Sequence, residues 1–191
     1  MKIEQKIGVV GNGFVGGAVK FGFSPSVGCD AEVRVYDKNP NKSTHTLEET
    51  VNESDFIFLS VPTPANEDGS INISVLEEAL HDINKVHEGK DNAILIRSTV
   101  IPGTTWALQT KYPHLNILFN PEFLTERSAN FDFINQSRFI IGNNGKQLSY
   151  MKSEEFVELI KYRFGDCVAV METSYETAEL IKYMSNCFFA T

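Results

Sequence analysis

Short apolar runs alternate with helical patterns along almost the whole chain. Most of the apolar runs are nearly continuous, which is typical of parallel strands buried on both faces. The predicted strands are Lys6–Val10, Glu32–Asp37, Asp55–Val61, Asn92–Ser98, Asn116–Asn120, Arg138–Gly142 and Cys167–Met171. Apolar residues spaced three and four apart predict helices at Phe14–Phe23, Leu47–Asn52, Ile73–Val86, Thr104–Lys111, Lys146–Phe164 and from Ser174 onward.

This alternation predicts an α/β fold. Strands joined through helices imply right-handed crossovers and a doubly wound, mostly parallel Rossmann-type sheet with helices on both faces. In such sheets ligands bind beyond the carboxyl ends of the strands. The segments that follow each strand are therefore the candidates for a functional site.

The segment after the first strand has the pattern of a dinucleotide site. In GNGFVG, Gly11 permits a tight turn, Gly13 lets a pyrophosphate approach the backbone, and Gly16 lets helix and strand pack closely. The N-terminus of the helix that follows favours the phosphates. Asp37 closes the second strand 21 residues after Gly16, where a carboxylate binds the adenine ribose and repels a 2′-phosphate. The motif predicts NAD rather than NADP.

Proline and hydroxyl residues follow the third and fourth strands. In VPTP, Pro62 and Pro64 make a stiff segment that suits contact with a cofactor through Thr63, but an ordinary turn would have the same sequence. In STVIPGTT, Ser98 and Thr99 fall at the sheet edge, whereas capping of the next helix accounts for Thr104.

Two glutamates follow the fifth strand, and a lysine and an asparagine lie in the last helix. If NPEFLTERSA coils, Glu122 and Glu126 share a face directed at the cleft, where a carboxylate can act as a general base; a solvated helix start is the alternative. Lys182 and Asn186 are four apart and therefore lie on one helix face.

Composition narrows the class of protein. The 191 residues are 42% hydrophobic and 22% charged, which predicts a packed soluble protein of one domain, or one domain and part of the next. The net charge of −8 argues against nucleic-acid and acidic-membrane binding, and no apolar run spans a membrane. Cys29, Cys167 and Cys187 follow no metal or redox spacing, so we expect buried thiols in a reducing cytoplasm and no metal site.

Taken together, these segments resemble the UDP-glucose/GDP-mannose dehydrogenase family. The matching stretches are GNGFVG, VYDKN, SVPTP, RSTVIPGTT, NPEFLTERSA and AELIKYMSNCFFAT, in the family's order and over essentially the whole chain. The resemblance implies a domain that binds NAD over residues 1–173, and the start of a long central helix over residues 174–191. It also implies two-step oxidation of a nucleotide-sugar, with UDP-glucose as the first expectation, to the uronic acid with two NAD, in a parent protein that forms a homodimer.

The resemblance also implies roles for individual residues. Thr99 would help place the catalytic water, Glu122 would act as general base, and Lys182 and Asn186 would stabilise the oxyanion at C6. The implied cofactor-binding residues are Gly11, Gly13, Phe14, Val15, Gly16, Asp37, Lys38, Val61, Pro62, Thr63, Ser98, Thr99 and Glu126.

Two departures from the family's pattern bear on function. Arg127 stands where the family usually has glycine, so that loop would run differently or add a positive charge near the phosphates. The family's nucleophilic cysteine lies in a glycine-rich motif that none of the three cysteines matches, so we expect this chain to bind NAD without turnover. Two alternatives remain: a stand-alone NAD-binding module with a sensing or partner-binding role, and a relative of the β-hydroxyacid dehydrogenases.

Overall fold

A computed structural model describes residues 6–190 as a single twisted sheet between two layers of helices. The strands are β1 Lys6–Val10, β2 Glu32–Tyr36, β3 Phe56–Leu59, β4 Ala93–Ile96, β5 Ile117–Phe119, β6 Arg138–Asn143 and β7 Ala169–Ser174. They lie in the order β2-β1-β3-β4-β5-β6-β7. The predicted strands, and the mostly parallel α/β sheet that they imply, are confirmed.

The helices follow the predicted positions closely. They are α1 Phe14–Gly22, α2 Leu47–Asn52, α3 Ser74–Val86, α4 Thr104–Lys111, α5 Ala129–Ile134, α6 Gln147–Phe164 and α7 Tyr175–Ala190. Three short 3-10 turns occupy Pro25–Val27, Pro40–Lys42 and Glu126–Ser128. The sequence did not predict α5 or these turns. The predicted domain ranges, 1–173 and 174–191, include residues 1–5 and 191, which lie outside the described residues.

The direction of the strands changes once. Strands β1 to β5 are parallel, β6 pairs with β5 in the antiparallel direction through Phe119 and Gly142, and β7 is parallel to β6. The carboxyl ends of β1, β3, β4 and β5 therefore share one edge of the sheet. The first connection leads from β1 out to β2 and the next returns to β3 on the other side, which makes a switch point at this edge.

Each face of the sheet carries its own apolar core. On one face α1, α5 and α6 cover an aromatic cluster that includes Phe23, Phe58, Phe133 and Phe156. On the other face α2, α3, α4 and α7 cover aliphatic residues of the same strands. Successive residues of a strand point to opposite faces, which explains why the central strands are apolar at nearly every position.

Helix α7 is held to the sheet by close packing and by a buried carboxylate. A Cβ at Gly142 would lie only 3.1 Å from the Cα of Tyr175, so glycine lets β6 and α7 approach. Glu179 is fully buried and accepts hydrogen bonds from the backbone N–H groups of Gly103 and Thr105, both at 2.7 Å, and from the Thr105 hydroxyl at 2.6 Å. Glu179 therefore caps the N-terminus of α4 from a neighbouring helix.

Two local expectations are wrong. Thr104 does not cap α4: its hydroxyl donates to the carbonyl of Ile101, and the capping acceptor is Glu179. Of the three cysteines only Cys29 is buried, whereas Cys167 and Cys187 are exposed, because they lie in the loop before β7 and in the outer part of α7.

Candidate functional site

A cleft of about 680 Å³ opens at the edge where the parallel strands end. Its position is the one that doubly wound sheets use for ligands, and its size suits a small organic cofactor. Most of the predicted cofactor-binding residues line it: Gly11, Gly13, Phe14, Val15, Asp37, Lys38, Val61, Pro62, Thr63, Ser98 and Thr99. Pro64, Arg97 and Glu122 line it as well.

The glycine loop is shaped by steric limits at three positions. Gly11 has φ +91°, and a Cβ there would lie 2.5 Å from the carbonyl oxygen of Ser60. A Cβ at Gly16 would lie 1.9 Å from the carbonyl oxygen of Gly11, because α1 passes directly over the loop. A Cβ at Gly13 would meet nothing within 4 Å, since this residue faces the cleft. Each glycine thus has the local geometry that its predicted role requires.

Asp37 joins the glycine loop to the end of β2. One carboxylate oxygen accepts the backbone N–H of Asn12 at 2.7 Å, and the other accepts that of Asn39 at 2.8 Å. The Asn12 side chain in turn donates to the carbonyl of Lys42 at 2.7 Å. Asp37 is held rigidly at the wall of the cleft, where its negative charge disfavours a second anion. Lys38 forms an exposed ion pair with Glu78 at 2.6 Å.

The loops after β3 and β4 are joined by two side-chain hydrogen bonds. The Thr63 hydroxyl donates to the Thr99 carbonyl at 2.8 Å, and the Ser98 hydroxyl donates to the Val61 carbonyl at 2.6 Å. Both hydroxyl protons are therefore used within the protein, and the two hydrogen bonds fix the loop after β3 to the loop after β4. The structure thus brings together two segments that are more than 30 residues apart.

Glu122 and Lys182 form a buried ion pair at one end of the cleft. The Lys182 ammonium donates to Glu122 Oε1 at 3.1 Å, and Glu122 Oε2 accepts the backbone N–H of Leu124 at 2.6 Å. Only 4% of the lysine side chain is exposed, and its ammonium lies 5.2 Å from the centre of the Phe123 ring. A carboxylate and an ammonium, both desolvated and beside a cleft, are groups suited to proton transfer and to stabilising a negative oxygen.

Three residues singled out from the sequence lie away from this pair. The segment from Glu122 to Thr125 is not helical: a 3-10 turn begins only at Glu126, and Glu122 Oε2 accepts the N–H of Leu124. Glu126 is exposed and is not among the residues that line the cleft, and Arg127 beside it is exposed too. Asn186 is exposed, one turn beyond Lys182. The roles of Glu126 and Asn186 stay predictions.

The sequence reading missed Arg97 and Glu179. Arg97 is 1% exposed at the end of β4 and lines the cleft, and burial lowers its pKa to about 10. Glu179 lies on α7 three residues before Lys182. Burial raises its pKa, and hydrogen bonds from Thr105 and Gly103 act in the opposite direction. A charged residue at the end of an apolar run, as in ILIRS, is the signal by which Arg97 could have been found.

Fold and site together define a dinucleotide-binding domain of the Rossmann type, of the kind found in nicotinamide-dependent oxidoreductases. Residues 36–160 match the model of the NAD-binding domain of the UDP-glucose/GDP-mannose dehydrogenase family. The chain belongs to this family, and NAD is its cofactor.

Similar proteins agree with this assignment. A UDP-glucose 6-dehydrogenase of Rickettsia prowazekii is 34% identical over 154 residues, which cover 78% of this chain and 34% of the relative. An uncharacterized protein of Methanocaldococcus jannaschii is 34% identical over an alignment of 220 residues, covering 98% of this chain and 24% of the relative. The structure of a UDP-glucose dehydrogenase from Pyrobaculum islandicum superposes with a TM-score of 0.79 at 25% identity, covering 98% of this chain and 50% of that one.

The chain thus spans about a quarter of the length of one of these two curated relatives and about a third of the other. Within residues 6–190, no helix is both long and apolar enough to cross a membrane.

Proposed function

We propose that this chain is the cofactor-binding part of a nucleotide-sugar 6-dehydrogenase. Its parent reaction would oxidise the C6 alcohol of UDP-glucose, or of a related UDP- or GDP-sugar, to the carboxylate. Two NAD would accept the two hydrides in turn, and one water would supply the second carboxylate oxygen. The observation that carries the proposal is the buried Glu122–Lys182 pair at the end of the dinucleotide cleft.

The glycine loop and the walls of the cleft would hold NAD. Gly13 and the N-terminus of α1 face the space where a pyrophosphate fits, and Asp37 stands at the side where the ribose hydroxyls would donate to it. When bound there, NAD supplies the hydride acceptor. Val61, Pro62 and Thr63 line the cleft beyond the end of β3.

Glu122 and Lys182 would be the catalytic residues that this chain contributes. The Glu122 carboxylate can take a proton from an attacking water, because Glu122 lines the cleft in which the reacting carbon would lie. The Lys182 ammonium can stabilise negative charge that develops on the C6 oxygen. Thr99 would help place that water, since it lines the cleft and its carbonyl accepts a hydrogen bond from Thr63.

The charge on Asp37 should decide the choice between the two nicotinamide cofactors. We expect the chain to bind NAD more tightly than NADP, and Asp37→Asn to lower NAD affinity about tenfold, which is about 1.4 kcal/mol of binding free energy. The same variant should also reduce the preference for NAD over NADP, because the neutral side chain no longer repels the 2′-phosphate of NADP. Isothermal titration with each cofactor measures both effects.

Glu88→Gln is the matched control for that titration, since Glu88 is an exposed acid outside the cleft. Its affinity for NAD should equal that of the wild-type chain. Tighter binding of NADP than NAD by the wild-type chain would contradict the cofactor assignment.

The chain alone should not turn over a nucleotide-sugar. None of Cys29, Cys167 and Cys187 lines the cleft, so no thiol is placed to form a covalent intermediate. We expect NAD binding without steady NADH formation when UDP-glucose is added, measured by NADH fluorescence. Steady NADH formation would show that the chain has a complete site. If NAD is bound but Glu122→Gln and Lys182→Met leave the activity of an assembled parent enzyme unchanged, the chain is a binding module instead.

A further inference from the structure

Helices α2 and α3 line one part of the cleft. The two helices pack against each other, and the lining residues are Leu47, the first residue of α2, and Val75, Ala79 and Asp82 of α3. Residues four and three positions apart lie on one side of a helix, so the last three form a single surface along α3. This surface, the α3 face, consists of two apolar side chains followed by a carboxylate.

An ion pair places the α3 face beside Asp37. Lys38, which follows Asp37, has its ammonium 2.6 Å from Oε2 of Glu78. Glu78 directly precedes Ala79 and lies one helical turn before Asp82. In the proposed function, Asp37 accepts the hydroxyls of the adenine ribose. The base attached to that ribose would therefore lie against the α3 face.

Asp82 has an acceptor available for a ligand. It is the charged residue of α3 that lines the cleft, and 35% of its side chain is exposed. Oδ1 accepts a hydrogen bond from Lys85 at 3.1 Å, whereas Oδ2 accepts none from any residue within 6–190. The carboxylate can therefore keep its contact with Lys85 and accept a second donor through Oδ2.

A carboxylate next to a purine distinguishes the groups at position 6 of the base. Adenine has an amino group there, which donates, whereas guanine has a carbonyl oxygen, which accepts. An ionised carboxylate has no hydrogen to donate, so it pairs with the amino group and repels the oxygen. The apolar part of the α3 face suits the flat sides of the ring. The α3 face thus has the chemistry of an adenine site.

We propose that Asp82 accepts a hydrogen bond from the 6-amino group of the adenine of NAD and makes the site selective for that base. The inference rests on the proposed function, since the glycine loop and Asp37 set the position of the adenosine. It goes beyond them, because the pyrophosphate and the ribose are the same whatever the base. Asp82 would be the residue that reads the base itself.

An analogue without a donor at position 6 tests this contact. In nicotinamide 1,N6-ethenoadenine dinucleotide an extra ring joins N1 to the 6-amino nitrogen, so no hydrogen remains to donate. We expect Asp82→Ala to weaken NAD binding at least about tenfold, the loss of a hydrogen bond to a charged group. The same variant should change the affinity for the etheno analogue by less than about twofold. Isothermal titration of both chains with both dinucleotides measures the four dissociation constants.

Two further variants separate the contact from the charge and from the helix. Asp82→Asn keeps an acceptor oxygen and should bind NAD with an affinity between those of the wild-type chain and Asp82→Ala. Glu77→Gln also removes an acid from α3, but Glu77 pairs with Lys111 at 3.1 Å and does not line the cleft. Its affinities for both dinucleotides should equal those of the wild-type chain. Asp82→Ala should fold, because alanine favours a helix and the ion pair that is lost with Lys85 is largely exposed.

The titrations distinguish failure of this inference from failure of the proposed function. Equal losses for NAD and the etheno analogue in Asp82→Ala, or no loss for NAD, would overturn the role of Asp82 and leave NAD binding in place. If the wild-type chain does not admit the bulkier etheno ring, nicotinamide hypoxanthine dinucleotide, which has an oxygen in place of the amino group, provides the same comparison. Absence of NAD binding by the wild-type chain would contradict the proposed function, and this inference with it.

Discussion

Replacing Gly16 with alanine should abolish NAD binding and destabilise the domain by at least about 3 kcal/mol, the upper part of the range for overpacking a core. The new Cβ would lie 1.9 Å from the carbonyl oxygen of Gly11 and 3.0 Å from Val9 Cγ1. The atom in the way belongs to the backbone, so it cannot move aside as a side-chain tip can. Either α1 or the glycine loop must shift, and NAD binding would suffer in both cases because both elements would contact the pyrophosphate. Urea unfolding measures the loss of stability, and titration with NAD measures the loss of affinity.

The glycine-rich segment offers two matched comparisons. Gly17→Ala places a Cβ at an ordinary 3.6 Å from the Asn12 side chain and should leave both stability and NAD binding near wild type. Gly13→Ala adds a methyl group in open space, so it should fold normally yet weaken NAD binding about 100-fold, or about 2.7 kcal/mol, because the methyl occupies the cleft. Wild-type NAD affinity in Gly13→Ala would contradict the placement of the pyrophosphate.

Replacing Glu179 with alanine should lower the free energy of unfolding by about 3–5 kcal/mol, because it removes a helix cap and leaves buried donors without an acceptor. The backbone N–H groups of Gly103 and Thr105 and the hydroxyl of Thr105 all donate to this carboxylate, and Thr105 is fully buried. For a domain of this size the loss corresponds to about 6–20 °C in Tm. Differential scanning calorimetry and urea unfolding measure it.

Glu176 provides the control on the same helix. It is half-buried, one turn before Glu179, and does not cap α4, so Glu176→Gln should change stability by no more than about 0.5 kcal/mol. If Glu179→Ala loses no more than this control, water replaces the carboxylate at the N-terminus of α4. Helix α7 would then be held by its apolar face, the Tyr175 hydroxyl and the Lys182–Glu122 ion pair.

The alternation of strands and helices was predictable because the central strands are buried on both faces. Strands β3, β4 and β5 are shorter than predicted by one or two residues at each end, because flanking residues that the prediction included, such as Ser60, Ser98 and Asn120, lie outside the regular strand pairing. Helix α5 escaped prediction because it has six residues, of which only Ala129 and Phe133 are buried. Two positions four apart are too few to show a helical period.

The candidate site was predictable where one local motif defines it. The glycine loop and Asp37 belong to one βαβ unit, so their spacing alone placed them at one edge. The pairing of Glu122 with Lys182 joins residues 60 positions apart, and only the packing of α7 against β5 and β6 brings them together. The same packing, and not a local pattern, makes Glu179 a cap for α4. Exposed glutamates and such buried ones look alike in sequence, which is why Glu126 was singled out and Glu179 was not.

The single reversal of strand direction between β5 and β6 decides where the last helix can deliver a side chain. Because β7 runs opposite to β5, it ends at the edge away from the cleft, and α7 starts there with Tyr175 against Ile117. Seven residues of helix climb about 10 Å towards the cleft and place Lys182 beside Glu122. Had all seven strands been parallel, the helix after β7 would begin at the cleft and lead away from it. The antiparallel pairing of β6 with β5 thus allows a helix near the end of the described chain to run towards the cleft and contribute a side chain to it.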